Sequence, residues 1–394
     1  MSALSTLFSV GFRPFFLCAG GYGALAAAAW TGWLGDIWGW PEVYPSTYLH
    51  AHEMLFGFAL AAVAGFLNTA VPQWTSRPPL RGLGLAALAG SWLLGRLGIL
   101  GAGVIGPVWA MAADLIFPIA LCAVIANMLI RAGNRRNYGF IALLGGAALA
   151  NLCWHLELAD LVTWEGDISG AEVAQQLMLN LLLLIVAIVG GRVIPMFSAN
   201  WLRRQGQTLA MRHPVWLQRL CITGLVLVTV AELLGPIIDD RLLGALALAT
   251  GLAYWFRLSG WNGHKTWAHP LVWILHLAYF WVGLALLLKG GQYLIDIPAV
   301  AARHAAAMGA VGSMIMAIMP RVSLGHTGRE LILPRPMLVA YALILAAPIL
   351  RVASPFVEAD WYQVVLLGSG MCWTAAFGIF IWCFAPMLFK PRAT

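Results

Sequence analysis

The residues most able to do chemistry in this chain are its nine histidines, set among 394 residues that are 61% hydrophobic and only 10% charged. Imidazole is a ligand for copper and for haem iron. An ionisable group deep in an apolar segment is costly enough that it usually serves function. His213, His264, His269 and His326 fall in short basic loops or at the helix ends beside them, where water satisfies them. His50 and His52 instead open an apolar run, and His155 lies near the end of another. His304 sits two turns into a third run and His276 near the middle of a fourth. The expected metal ligands are therefore His50, His52, His155, His276 and His304.

Spacing refines the set. His50 and His52 diverge by about 200° on a regular helix. Either His50 lies in the preceding loop and folds back, or the two serve different sites. Glu53 is either a partner that fixes an imidazole tautomer or an interfacial carboxylate favoured by a helix N-terminus. Asp114, in the third of its run farthest from the basic loops, is a candidate for proton handling or for anchoring a histidine. Arg96, Glu232 and Arg351 share a similar depth on three other runs. They pair with haem propionates or with one another, or the two arginines snorkel to the interface. Glu172, Gln175, Gln176 and Asn180 give one run a polar stripe where two others carry histidine. No nucleotide-binding loop, dinucleotide fingerprint or nucleophile elbow occurs, so no catalytic residue is assigned. No CxxCH motif is present, and any haem is expected to be non-covalent. The six cysteines form no CxxC pair and read as small buried hydrophobes.

The elements that must position these residues are membrane helices. A soluble domain carries about 25% charged residues, so this composition cannot cover a water-facing surface, whereas a bilayer favours it. A crossing needs about 20 apolar residues. Runs bounded by Pro, Gly and charge predict an all-α protein with twelve spans at 15–34, 50–72, 83–103, 107–131, 138–157, 172–195, 214–235, 241–257, 267–289, 298–320, 335–352 and 361–388. The connecting loops alternate in charge: basic ones at Arg77–Arg81, Arg131–Arg136, Arg203–Arg212, Arg257–Lys265 and Arg321–Arg335, acidic ones at Asp36–Glu42, Asp160–Asp167, Asp239–Asp240, Asp296 and Glu358–Asp360. The positive-inside rule then puts both termini in the cytoplasm and the histidine cluster toward the outer face. The net charge of +7 is explained by these loops, and no nucleic-acid surface is expected. No cleavable signal peptide is expected either, since residues 1–12 lack a basic leader.

An internal repeat overlays the spans. Pro72, Pro195 and Pro320 close the second, sixth and tenth runs at intervals of 123 and 125 residues, and Gly20-Gly21 and Gly145-Gly146 are also 125 apart. Three four-helix segments, 1–131, 132–257 and 258–394, are expected within one integral membrane domain. A pseudo-threefold arrangement of that kind resembles the catalytic subunit of haem–copper oxidases, an analogy of fold that carries no activity.

Several stretches resemble the NnrS family: Val10-Gly11-Phe12-Arg13-Pro14-Phe15-Phe16-Leu17, His50-Ala51-His52-Glu53-Met54 with Gly65-Phe66-Leu67, Pro72-Gln73-Trp74-Thr75, Gly190-Gly191-Arg192-Val193-Ile194-Pro195, and Leu324-Gly325-His326-Thr327-Gly328-Arg329. The resemblance covers nearly the whole chain. It implies an integral membrane protein of the bacterial inner membrane that contains haem b and copper and takes part in nitric oxide metabolism or resistance to nitrosative stress. The expected partner is nitric oxide or an adduct of it, with quinol or another electron donor left open. His52 and His304 are then the first choice for haem contact, with Arg96 and Arg351 at the propionates. His50, His155 and His276 remain for copper, with Glu53 and Asp114 behind the ligands. A transporter of a metal or small solute, and a non-catalytic sensor of nitric oxide, are the alternatives.

Overall fold

The computed structural model describes residues 2–39, 43–164, 169–207 and 214–393. Glu42, Glu165, Asp167, Arg212 and His213 lie outside the described residues. Among the described residues, twelve helices are long and apolar enough to cross a membrane. They are α1 (Phe12–Leu34), α2 (Ser46–Thr75), α3 (Leu83–Leu100), α4 (Pro107–Arg131), α5 (Arg135–Leu158), α6 (Gly170–Arg204), α7 (Val215–Leu234), α8 (Asp240–Lys265), α9 (Pro270–Ile295), α10 (Ala299–His326), α11 (Pro336–Phe356) and α12 (Ala359–Leu388). The protein is a multi-pass α-helical membrane protein. Leu83, Val104, Trp109 and Trp382 are largely exposed, as lipid-facing side chains are.

Two spans run on past the prolines expected to close them, and for one reason. Pro195 and Pro320 sit inside α6 and α10, which continue to Arg204 and His326. Proline removes one backbone donor, and in a membrane helix neighbouring groups can re-satisfy the freed carbonyl, so the helix need not stop. Pro72 is likewise internal to α2, three residues before its end. These three proline-bearing helices are among the most enclosed: 83%, 78% and 72% of the most apolar window of α2, α6 and α10 is buried, against 28–44% for most of the others.

The chain divides into two compact units. Unit 1 comprises residues 1–181, 322–330 and 377–394, and unit 2 comprises residues 182–321 and 331–376. In unit 1, α1 packs on α2, with Phe15 and Phe16 fully buried against Gly65. The Arg13 guanidinium donates to the Leu388 carbonyl at 2.6 Å, which ties the α1 start to the α12 end. In unit 2, α8 and α9 lie close enough that a Cβ on Gly251 would meet the Gly283 carbonyl at 2.8 Å. Small residues are what permit such an approach between membrane helices.

Candidate metal centre

The centre lies in unit 1, at the acidic-loop ends of α2 to α5. α2 starts after Pro45, whose extended backbone ends the preceding loop, and runs as α-helix to His52. From Glu53 to Ala59 it is π-helix, and from Leu60 it is α-helix again. A π-segment accommodates one extra residue in the turn and recurs at functional sites. Trp92 of α3 donates its indole N–H to the Gly57 carbonyl within that segment at 2.8 Å.

His52 is fully buried, and both of its ring nitrogens are engaged. Nδ1 donates to Glu53 Oε1 at 2.9 Å. In the neutral ring this places the lone pair on Nε2. That nitrogen faces Asn151 Oδ1 at 2.8 Å and Asp114 Oδ2 at 3.2 Å, two further acceptors. His155 Nε2 reaches the same Asp114 oxygen at 3.1 Å. Convergent acceptors need a cation between them, a proton or a metal. Among the described residues, His52, Asp114 and His155 form a group whose ligand atoms lie within 4.8 Å of one another. Two imidazoles and a carboxylate suit copper, zinc or iron, and copper heads the affinity order for such N/O sites. The donor set therefore fits the copper that the resemblance implies.

The surrounding charges are closely balanced. Arg96, 3% exposed, pairs with both Glu53 and Asp114, and Tyr22 of α1 donates its hydroxyl to Glu53. Buried charges persist only when paired and hydrogen-bonded. Two carboxylates and one guanidinium leave one net negative charge beside two imidazoles, which favours a divalent cation. Gly95 makes room for this arrangement: a Cβ there would meet Asp114 Oδ1 at 2.6 Å. Asn151 Nδ2 donates to Asp114 Oδ2 at 2.8 Å and holds the carboxylate in place.

An aromatic lid covers the imidazoles. The Trp154 ring lies 4.1 Å from His52 and 4.9 Å from His155, and Tyr44 lies 5.2 Å from Trp154. Tyr44 and Trp154 are buried, yet the Tyr44 hydroxyl and the Trp154 indole N–H have no hydrogen-bond partner among the described residues. Tyr44 belongs to the loop before α2, and burial, with the nearby Asp114 charge, pushes its phenol up to about 12. It is a neutral donor at any physiological pH.

The other expected site residues lie elsewhere. His50 stacks on Trp30 at 4.2 Å and so looks to a different neighbour from His52, as the two-residue spacing requires. His276 is on the seventh residue of α9, nearer the 263–269 turn than mid-span, because the helix starts later and ends later than expected. Its Nε2 meets Ser198 Oγ at 2.7 Å in unit 2. His304, also in unit 2, donates Nδ1–H to the Val300 carbonyl at 2.8 Å. A second π-segment, Ala305–Gly312, follows it directly. Arg351 donates to Ser354 Oγ at 2.9 Å, and Glu232 pairs with Lys289. Gln175 donates to the Tyr48 carbonyl at 2.7 Å, and Gln176 to Asn180 Oδ1 at 3.4 Å. Sequence reasoning missed Asn151, Tyr22, Tyr44 and Trp154. Asn151 had a usable signal: it precedes His155 by four residues, one turn along the same helix face.

The chain belongs to the NnrS family, whose model, described as NnrS protein, matches residues 6–392 and so takes in all twelve spans. Among curated proteins no relative matches.

Proposed function

We propose that the protein is a copper- and haem-binding protein of the bacterial inner membrane that acts on nitric oxide or an adduct of it, with copper held by His52, His155 and Asp114. The observation that carries this reading is the convergence of Nε2 of both histidines and two oxygens, Asp114 Oδ2 and Asn151 Oδ1, in a buried, net-negative cluster. Family membership links the chain to nitric oxide metabolism. Copper bound there supplies a redox-active site to which nitric oxide can coordinate.

The chain's own residues then have distinct tasks. Glu53 holds the His52 tautomer through Nδ1, and Arg96 pairs with both carboxylates and keeps them in place. Trp154 and Phe56 flank the His52 ring at 4.1 and 4.9 Å and exclude water. Tyr44 and Trp154 offer two buried N–H and O–H donors for a polar ligand. Nitric oxide is small and nearly apolar, so entry needs no charged channel. This reading assigns His52 to copper and not to haem. His304 would hold the haem: its Nδ1–H donates to the Val300 carbonyl, which in the neutral ring leaves the lone pair on Nε2 for an iron.

Two structural expectations join the proposal. The helix ends that carry His52, His155 and His304 face the periplasm and both termini the cytoplasm. The three-segment repeat draws on a local likeness of α2 and α10, where a π-segment begins on the residue after His52 and after His304, while α6 is α-helical throughout.

The test is metal and haem analysis of the purified protein. His52→Ala and His155→Ala are expected to lose copper and keep haem, and His304→Ala to lose or alter the haem spectrum. Full copper in both of the first two variants would sink the assignment.

A further inference from the structure

Unit 2 poses a charge problem that the metal centre does not address. Its six carboxylates are Glu232, Asp239, Asp240, Asp296, Glu358 and Asp360. All belong to the acidic-loop ends of the spans: late α7, the α7–α8 turn, the residue after α9 and the α11–α12 turn. The basic-loop ends of unit 2 carry Arg203, Arg204, His264, Lys265, His269 and Arg321 and no acid; Glu330, in the α10–α11 loop, belongs to unit 1. Arg321 lies five residues before the His326 end of α10, and its guanidinium carbon sits 3.6 Å from the centroid of Phe197 of α6.

Three polar groups here are buried and unsatisfied. Arg321 Nη1, the Tyr341 hydroxyl and His269 Nδ1 have no hydrogen-bond partner among the described residues. Tyr341, on α11, is 0% exposed and near enough to Arg321 to feel its charge. His269, in the turn before α9, is held below the ordinary imidazole pKa by burial and by the Arg321 and Arg204 charges. Aromatic walls complete the place: Trp201 lies 4.5 Å from His269, and Trp273 lies 5.9 Å from Tyr341.

We propose that Arg321, Tyr341 and His269 form a binding site for a phosphate-class oxyanion at the basic-loop end of unit 2. Every group in the set can donate, one carries a full positive charge, and no carboxylate competes, so the complement is an anionic acceptor. Basic pockets between membrane helices at the cytoplasmic side bind anionic lipid headgroups. A free inorganic oxyanion has the same chemistry. The proposal stands on unit 2 alone and is independent of the copper assignment.

The experiment uses the full-length protein, delipidated in a neutral detergent, with thermal unfolding followed by tryptophan fluorescence. Phosphatidylglycerol, inorganic phosphate and zwitterionic phosphatidylcholine are titrated separately. Saturable stabilisation by phosphatidylglycerol identifies a lipid headgroup, and by phosphate a free oxyanion. In either case Arg321→Gln is expected to weaken binding by about 10–100-fold, the worth of a charged hydrogen bond. Tyr341→Phe, which removes one hydroxyl and keeps the ring, is expected to weaken it less, and serves if Arg321→Gln does not fold. Copper content is unchanged in both. No saturable response to either anion, an equal response to phosphatidylcholine, or binding that Tyr341→Phe and Arg321→Gln leave intact overturns the site.

Discussion

At the scale of the residue, the cluster is controlled by who holds the protons of His52. Glu53 accepts the Nδ1–H hydrogen bond, which in the neutral ring leaves the Nε2 lone pair facing Asp114 and Asn151. Glu53→Gln keeps the shape but loses the carboxylate, and it is expected to lower copper affinity by about 10–100-fold in a competition assay with a chelator. Unchanged affinity would remove Glu53 from the arrangement. Asp114→Asn acts differently, because Asp114 also neutralises Arg96. Breaking one side of a buried ion pair costs about 3–5 kcal/mol, so this variant is expected to lose copper and a large part of its stability to denaturant together. His52, Glu53, Arg96, Asp114 and His155 were all legible in the sequence, since an ionisable group deep in an apolar run declares its own desolvation cost. Asn151, Tyr22, Tyr44 and Trp154 were not. Neutral polar and aromatic side chains are common in membrane helices, and only proximity gives them a task. Which histidines share one cluster was also illegible, because it depends on contacts between α2, α4 and α5 that no spacing rule supplies.

At the scale of the element, the decisive feature is how closely α3 approaches α4. Gly95 faces Asp114, and a methyl group there would lie 2.6 Å from a carboxylate oxygen. Gly90 is on the same helix but has no heavy atom within 4 Å of its would-be Cβ. Gly95→Ala is therefore expected to cost about 1–3 kcal/mol through overpacking and to reduce copper occupancy. Gly90→Ala is expected to be neutral or to stabilise by up to about 1 kcal/mol, since alanine gains helix propensity. Equal effects of the two would mean that α3 and α4 are not held at this distance. Helix number and order could be read from apolar run length, because the bilayer sets a minimum. The ends of α6 and α10 could not, since proline reads as a stop in water and is tolerated inside a membrane helix. The π-segments of α2 and α10 leave no mark in hydropathy either. In α2 a neighbour takes part: Trp92 donates its indole N–H to the Gly57 carbonyl within the segment.

At the scale of the whole molecule, charge alternation along the chain makes one prediction about every loop at once. Basic residues accumulate after α2, α4, α6, α8 and α10, and acidic ones after α1, α5, α7, α9 and α11. Positive loops stay on the cytoplasmic side because short basic segments resist translocation. With twelve spans among the described residues, an even number, both termini are expected on that side. Alkaline phosphatase fused after Asp36, Asp160, Asp239, Asp296 or Glu358 is accordingly expected to be active, and fused after Arg77, Gly133, Gly206, Asn262 or Glu330 to be inactive. The pattern is demanding, because adding or losing one span inverts every fusion beyond that point. The same experiment fixes the face of both sites. His52 starts its span just after the α1–α2 loop, and Arg321 lies just before the α10–α11 loop, so activity after Asp36 with inactivity after Glu330 would set the copper cluster toward the periplasm and the oxyanion site toward the cytoplasm. Activity after Glu330 would place Arg321 on the outer face, against the cytoplasmic leaflet whose anionic lipids attract basic segments, and would leave a soluble outer oxyanion as its ligand.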